Sequence, residues 1–391
     1  MRNPYAPGAG QRPPELAGRD RELDAFDIVL ERVSRGRPER SLVLTGLRGV
    51  GKTVLLNTMR GAAVRRGWGT GKLEARPDVP LRRPLSAALH LAVRELAGRH
   101  PDQADEVLAV VKSFALRAAD PGAKVRERWQ PGIDVPAATG RADSGDIEVD
   151  LVELLTDVAG LAATSGRGVA VFLDEMQDLL PADVSALCAA CHELSQDGLP
   201  LIVVGAGLPH LPAVLSASKS YSERLFRYLR IDRLEREPAD RALLAPAQDE
   251  DADFTADALA AMYDATDGYP YFVQAYGKAV WDAAPTSPVT AQDVEVAAPE
   301  AEAELAVGFF GSRYERATPA EREYMRAMAD LGQSSGDGPV ATAAVADLLG
   351  RRPQSLSPAR DGLIKKGLVY SGERGQIAFT VPHFGRYLRA H

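Results

Sequence analysis

The sequence predicts an α/β domain built on a parallel sheet, then a small helical domain and a C-terminal winged helix. Three observations predict it. A glycine-rich turn, Gly46 to Gly51, lies between a short apolar run and a helical pattern, and a second apolar run, Val169 to Leu173, ends in Asp174-Glu175. The third is a change of charge sign: residues 237–304 carry 15 Asp/Glu against Arg241 and Lys278, net −13, whereas residues 313–391 carry 12 Lys/Arg and 8 Asp/Glu, net +4. A reversal of that size between neighbouring segments points to separate domains with different partners. At 391 residues the chain exceeds one ordinary core, and the expected divisions are 1–234, with 1–14 as an extended leader, then 235–311 and 312–391.

The whole-chain figures bound the function. With 45% hydrophobic and 26% charged residues the composition is that of a soluble globular protein, and a net charge of −8 gives no chain-wide reason to expect nucleic acid. No N-terminal stretch joins a basic region to a long apolar one, and no apolar run approaches the ~20 residues that span a bilayer. The expected location is the cytoplasm, with no membrane partner. Cys188-Ala189-Ala190-Cys191-His192 matches the c-type haem attachment pattern. Val184, Leu187, Cys188, Cys191 and Leu194 nevertheless fall on one helical stripe, so the cysteines read as small core residues and no haem is expected.

Taken in order, residues 1–14 are too rich in Pro and Gly for a regular element. A helix carrying Leu23, Phe26, Val29 and Leu30 follows Leu16-Ala17-Gly18-Arg19-Asp20. Leu16, Ala17 and Arg19 are candidate base contacts, or Asp20 is simply the cap of that helix. Leu42-Val43-Leu44 then reads as a buried strand, and Gly46-Leu47-Arg48-Gly49-Val50-Gly51-Lys52-Thr53 matches the phosphate-binding loop pattern in full. Val54, Leu55, Leu56 and Met59 continue at helical spacing. The glycines let backbone N–H groups turn onto a phosphate at a helix N-terminus. By residue type, Lys52 neutralises β/γ-phosphate charge and the Thr53 hydroxyl ligates Mg²⁺.

A second strand is expected over Trp68 to Ala75, helices near Leu85 to Gly98 and Ala104 to Arg117, and a loop or hairpin over 120–146. After a helix from Asp150 to Ala163, the strand Val169 to Leu173 delivers Asp174 and Glu175 at its C-terminal end, the edge where open α/β sheets bind ligands. This looks like a Walker B motif, about 120 residues after the loop. Asp174 would hold Mg²⁺ and Glu175 would activate water. Gln177 and Asp178 either reach the same cleft or cap the next helix. A strand from Leu199 to Val204 runs into Gly205-Ala206-Gly207, and another is expected from Tyr228 to Leu234. Between them, Arg224, and after it Arg227, are candidates for an arginine reaching a neighbouring subunit's nucleotide, or for a local salt bridge with Glu223 or Asp232.

Helices near Asp240 to Ala247, Ala256 to Thr266, Tyr271 to Ala283 and Ala291 to Phe310 make up the acidic segment. Gly268-Tyr269-Pro270 either closes an apolar wall on a base, with Pro270 as the contact, or is a helix stop and start. Three further helices, Pro319 to Leu331, Val340 to Leu349 and Pro353 to Lys366, precede a hairpin formed by Leu368 to Tyr370 and Gln376 to Val381. On the third helix Gln354, Ser355, Ser357, Arg360 and Lys365 face outward, flanked by Arg351, Arg352 and Arg374, where the phosphates of double-stranded DNA would lie.

With these residues assembled, the chain resembles AAA+/STAND-type ATPases, and in layout the initiator family that includes the origin-recognition ATPases. The resemblance implies ATP as the nucleotide, a three-part fold and a nucleotide-dependent lid position. It also implies a polar residue at the end of the strand after Walker B, where this chain has Gly205-Ala206-Gly207, a departure that favours a switch over a fast motor. The expected function is an ATPase whose nucleotide state sets the posture of a DNA-binding winged helix, alone or as a homo-oligomer. The alternative is a scaffold whose winged helix docks a protein partner.

Overall fold

A computed structural model describes residues 2–8, 10–117, 132–333 and 337–391. Residues 118–131, and with them the first half of the expected insertion, lie outside the described residues; residues 132–146 are irregular.

The first half is a five-stranded parallel sheet of β1 (Ser41–Thr45), β2 (Gly69–Glu74), β3 (Val169–Asp174), β4 (Leu201–Gly207) and β5 (Phe226–Arg230). Their spatial order is β2-β3-β4-β1-β5. Alternate side chains leave opposite faces of a strand, and both faces here are covered. Leu42, Leu44, Ala170, Phe172, Ile202 and Val204 pack on α1 (Asp20–Ser34) and α2 (Lys52–Arg65). Val43, Val171, Leu173 and Val203 face the other layer, α3 (Arg82–Leu96), α4 (Pro101–Leu116), α5 (Ile147–Thr164), α6 (Pro181–Gln196) and α7 (Leu211–Ser218). This is why the strands read as continuous apolar runs.

The short helix α8 (Ser222–Leu225) leads into β5, which begins and ends earlier than the expected Tyr228 to Leu234. Phe226 pairs with Ser41 in register, and Leu234 N–H instead donates to Gly268 O, so Leu234 joins the core of the next unit. That unit is α9 (Arg236–Gln248), α10 (Ala256–Thr266), α11 (Pro270–Ala283) and α12 (Ala291–Leu305), at the expected places. The expected boundary at 311/312 falls inside one unbroken helical run: α12 passes through a π-helical turn at Ala306–Gly311 into α13 (Ser312–Glu315).

The C-terminal unit runs α14 (Pro319–Gly332), β6 (Val340–Ala341), α15 (Thr342–Leu348), α16 (Pro353–Lys365), β7 (Val369–Tyr370), β8 (Gln376–Phe379) and α17 (Phe384–Ala390). Its antiparallel sheet has the order β6-β8-β7. Strand β6 and helix α17 were not anticipated. Two-residue β6 is too short to show alternation, and α17 forms against Phe310, which stacks on Phe384 and Tyr387. One apolar core therefore extends from Leu234 through the helical unit to Leu388. Among the described residues no helix is long and apolar enough to cross a membrane.

Cys188 and Cys191 are free thiols on the buried face of α6. Burial pushes Cys188 up to about 11 and Cys191 to about 12. With a thiolate fraction on the order of one in a thousand or less at pH 8, the native protein should resist maleimide while the urea-unfolded chain labels both; rapid native labelling would show α6 leaving the sheet.

In the C-terminal unit Thr318 and Glu321 form a capping box at the start of α14, and Lys366 Nζ donates to Glu321 at 2.6 Å. Burial alone would raise the Glu321 carboxyl, but hydrogen bonds from Lys366 and Thr318 outweigh it and hold the group below its usual range. The contribution is therefore complete above the ordinary glutamate range and disappears as pH falls through the depressed folded value. Glu321→Ala should lower unfolding stability by ~2 kcal/mol at neutral pH. In thermal melts the gap to the wild type should close in acid, and a gap independent of pH would refute the ionic part.

Candidate functional site

Strand β1 ends at Thr45 and the chain turns through Gly46 to Gly51 before α2 begins at Lys52. Gly49 and Gly51 have φ of 84° and 91°, open to glycine and strained for other residues. At Gly46 an added Cβ would lie 2.1 Å from the Ile231 carbonyl, so this position needs glycine for space. Lys52, 8% exposed, donates to Gly46 O at 2.8 Å and Leu47 O at 2.7 Å. Desolvation lowers its ammonium to about 8, against the attraction of Glu175 and Asp174.

Two strands away, β3 ends in Asp174, whose Oδ2 accepts from Thr53 Oγ1 at 2.7 Å. The loop and the strand end that the sequence places 121 residues apart are in direct contact. A hydroxyl and a carboxylate side by side form a hard oxygen pair suited to Mg²⁺, which takes one or two protein oxygens and shares phosphate oxygens and water.

Glu175 follows in the left-handed region, φ 52°, a sparsely populated conformation for a side chain of its size. Both its carboxylate oxygens have partners: Oε1 accepts from Arg48 Nη1 at 3.2 Å and Oε2 from Gln177 Nε2 at 2.6 Å. The Gln177 Oε1 in turn accepts from Leu208 N at 3.1 Å. This explains the missing polar residue at the end of β4. A Cβ on Gly205 would lie 1.9 Å from Met176 Sδ, and one on Gly207 2.7 Å from Gln177 Oε1. The glycines make room for the side chains of Met176 and Gln177. Asp178 is pushed up to about 6, by burial first and then by Glu175.

Arg48, Lys52, Thr53, Asp174 and Glu175 open on a cavity of about 340 Å³ between the sheet and the helical unit. Leu16 and Ala17 line it, as do Arg48 through Val54, Asp174, Glu175 and Pro270. Arg19 also lines it, but its guanidinium is held by Val50 O at 3.1 Å and Asp232 O at 2.6 Å, so it braces the loop. Pro270 starts α11, with Gly268 at φ 68° and no room for a Cβ against Leu234 O at 2.2 Å.

Three contributors were missed by sequence reasoning. Leader residues Ala6, Pro7, Gly8, Gly10, Gln11 and Pro13 line the cavity. Phe309, on the π-helical turn, stacks on Tyr271 with ring centroids 4.7 Å apart, and Tyr271 N donates to Gly49 O at 3.3 Å. Arg313 lies over Phe309, 4.6 Å from its centroid, donates to the Phe309 carbonyl and lines the same cavity. Burial lowers Arg313, with Arg48 adding repulsion. In addition, Arg48 N donates to Thr380 O at 2.9 Å, so the C-terminal unit touches the glycine loop itself.

Other candidates lie elsewhere. Arg224 borders a crevice with Ser41 and Leu201, where β1 and β4 begin, at the opposite edge of the sheet from Lys52 and Asp174. Neither Arg224 nor Arg227 forms an ion pair among the described residues, and Asp232 pairs with Arg230 at 2.9 Å. The expected local bridge is therefore not made, and Arg224 is outside its own chain's cavity.

Of the expected DNA face, Arg352, Gln354, Ser355 and Arg374 are exposed, while Ser357 donates back to Pro353 O. Arg351 pairs with Glu323 at 3.3 Å, Arg360 with Asp361 at 2.9 Å, and Lys365 with Asp78 of the sheet domain at 3.1 Å. The cations on that face are fewer than their number in the sequence suggests. Exposed pairs of this kind are weak and exchangeable.

The family of AAA ATPase domains matches residues 15–204, and a family described as a domain of unknown function matches residues 307–388. No protein of curated function matches the chain. Among solved structures, a Walker-type ATPase of Pyrococcus abyssi is similar over 97% of both chains at 15% identity, with a TM-score of 0.58. The RuvB Holliday junction branch migration motor of Thermotoga maritima is similar at 17% identity over 95% of this chain and 96% of its own, TM-score 0.46. The Orc1 protein of Aeropyrum pernix, solved in complex with DNA, is similar at 15% identity over 97% and 94%, TM-score 0.46. Only the first is near enough to bear on the fold. The loop, Asp174 and strands β1 to β3 all lie within residues 15–204, the stretch that matches the family of AAA ATPase domains.

Proposed function

We propose that this chain binds ATP with Mg²⁺, hydrolyses it slowly, and uses the nucleotide state to set the posture of a C-terminal winged helix that binds double-stranded DNA. The observation that carries the ATPase reading is the 2.7 Å contact of Thr53 with Asp174 beside the buried ammonium of Lys52. Mg²⁺ supplies charge neutralisation and orients the outer phosphates. Lys52 exchanges the two loop carbonyls for phosphate oxygens, and Thr53 and Asp174 exchange their mutual hydrogen bond for the metal. Arg313 adds a second cation in cis at the same cavity. Glu175 accepts the proton of the attacking water, and for that it must give up Arg48 and Gln177. This is a physical reason for slow or partner-stimulated turnover. Arg224 and Arg227, remote from their own site, could act only on the nucleotide of another copy.

Lys52→Ala should abolish ATP binding in calorimetry, and unchanged affinity would refute its phosphate role. Glu175→Gln should keep ATP affinity within a few-fold and reduce turnover by ~10²-fold or more; persisting turnover would place the base elsewhere.

The DNA reading is supported by the order helix–strand–helix–helix–hairpin and by exposed Arg352 and Arg374. A second reading, in which the unit docks a protein, is favoured by the ion pairs that engage Arg351, Arg360 and Lys365. Duplex binding measured against salt separates the two. The double variant Arg352→Ala/Arg374→Ala should reduce the log-affinity versus log-salt slope by ~2 units, whereas absence of duplex binding at low salt selects the protein-docking reading.

A further inference from the structure

The cavity has a wall supplied from outside the AAA match, which begins at residue 15. Ahead of it, Asn3 Nδ2 donates to Lys278 O at 2.9 Å and to Asp282 Oδ1 at 2.8 Å, both at the end of α11. Tyr5, 5% exposed, donates to Leu243 O on α9 at 2.7 Å and meets Trp281 edge-on at 6.1 Å. The Ala6 N–H donates to Gln274 Oε1 at 3.2 Å. From this anchorage on the helical unit the chain crosses to the first turn of α2, where a Cβ on Gly10 would lie 3.2 Å from Thr53 Cγ2.

Gly277 reports on the same contact from the other side. Glycine in mid-helix is unfavourable because it frees the unfolded backbone and packs nothing. At Gly277, in the interior of α11, an added Cβ would fall 2.7, 2.9 and 3.0 Å from three atoms of the Tyr5 ring. The missing side chain is the socket in which Tyr5 sits.

We propose that residues 3–8 and 10–13 form a retaining strap over a purine nucleotide, with Tyr5 in the Gly277 socket as its clasp. The inference rests on the ATP reading and extends it. The strap lines the same cavity as the apolar side chains of Leu16, Leu234, Ala242 and Val273, which suit a flat base, and through Gly10 it reaches Thr53, which with Lys52 marks the phosphate end. Gln274, seated by the strap through its Oε1, lines the same cavity and brings a carboxamide donor for a ring nitrogen. A base enclosed in this way leaves only when the clasp opens, so the Tyr5–Gly277 contact controls the dissociation rate of the nucleotide.

The test loads the full-length protein with tritiated ADP and Mg²⁺, chases with excess unlabelled ADP and follows retention on filters. Tyr5→Ala and Gly277→Leu should each raise the dissociation rate by ~tenfold or more. The double variant should be no faster than the faster single one, since both act on one clasp. Gly277→Ala, a favourable change for the helix itself, should fall between, and melting curves check that each variant is folded. The proposal is overturned if Tyr5→Ala and a chain lacking residues 2–13 both release ADP at the wild-type rate. Retention by wild type but not by Lys52→Ala, together with that result, would leave the nucleotide reading standing without the strap. Failure of the wild type itself to retain ADP would remove both.

Discussion

A cation buried beneath its own loop is the constraint on which this molecule depends. Lys52 is nearly excluded from water and gives two of its three protons to the carbonyls of Gly46 and Leu47. Dipoles compensate a desolvated ammonium only in part, which is why its basicity falls. The N-terminus of α2 and the guanidinium groups of Arg48 and Arg313 add positive potential to the same cavity, opposed by Asp174 and Glu175. The balance favours a polyanion that brings its own metal. The glycines that permit the turn, the sheet order that sets β3 two strands from β1, and the hydroxyl contact at Asp174 all serve that one arrangement.

What could be read from the chain was whatever is local. The loop pattern, strands β1 to β4 and the helices of the acidic segment depend on neighbours a few residues away, and they lie within a few residues of where periodicity puts them. What could not be read depends on contacts distant in sequence. The Pro and Gly content of residues 1–14 excludes regular structure, yet it leaves an extended chain free to pack, and the partner of Tyr5 is 272 positions on at Gly277. Arg313 was hidden differently. The π-helical turn at Ala306–Gly311 shifts the helical phase, so a 3.6-residue reading assigns the residues beyond it to the wrong face. Lys365 and Asp78 likewise carry no local sign that they would meet.

The core of the second half is continuous across the expected boundary between helical unit and terminal unit. Phe272, Phe309, Phe310 and Phe384 form one aromatic chain through it. Bending at residues 311–312 would break a helix and separate packed rings. The acidic and basic segments, which differ so much in charge, thus share one interior, and their charge difference is a property of surfaces.

Arg48 belongs to two places at once: its backbone is tied to Thr380 and its side chain to Glu175. Displacing the hairpin that carries Thr380 would slacken the first tie and alter the second, since both run through one residue. Thermodynamic reciprocity then applies. Were a ligand of the terminal unit and a ligand of the phosphate loop each to bind the two arrangements with different affinity, each would change the affinity of the other by one and the same factor.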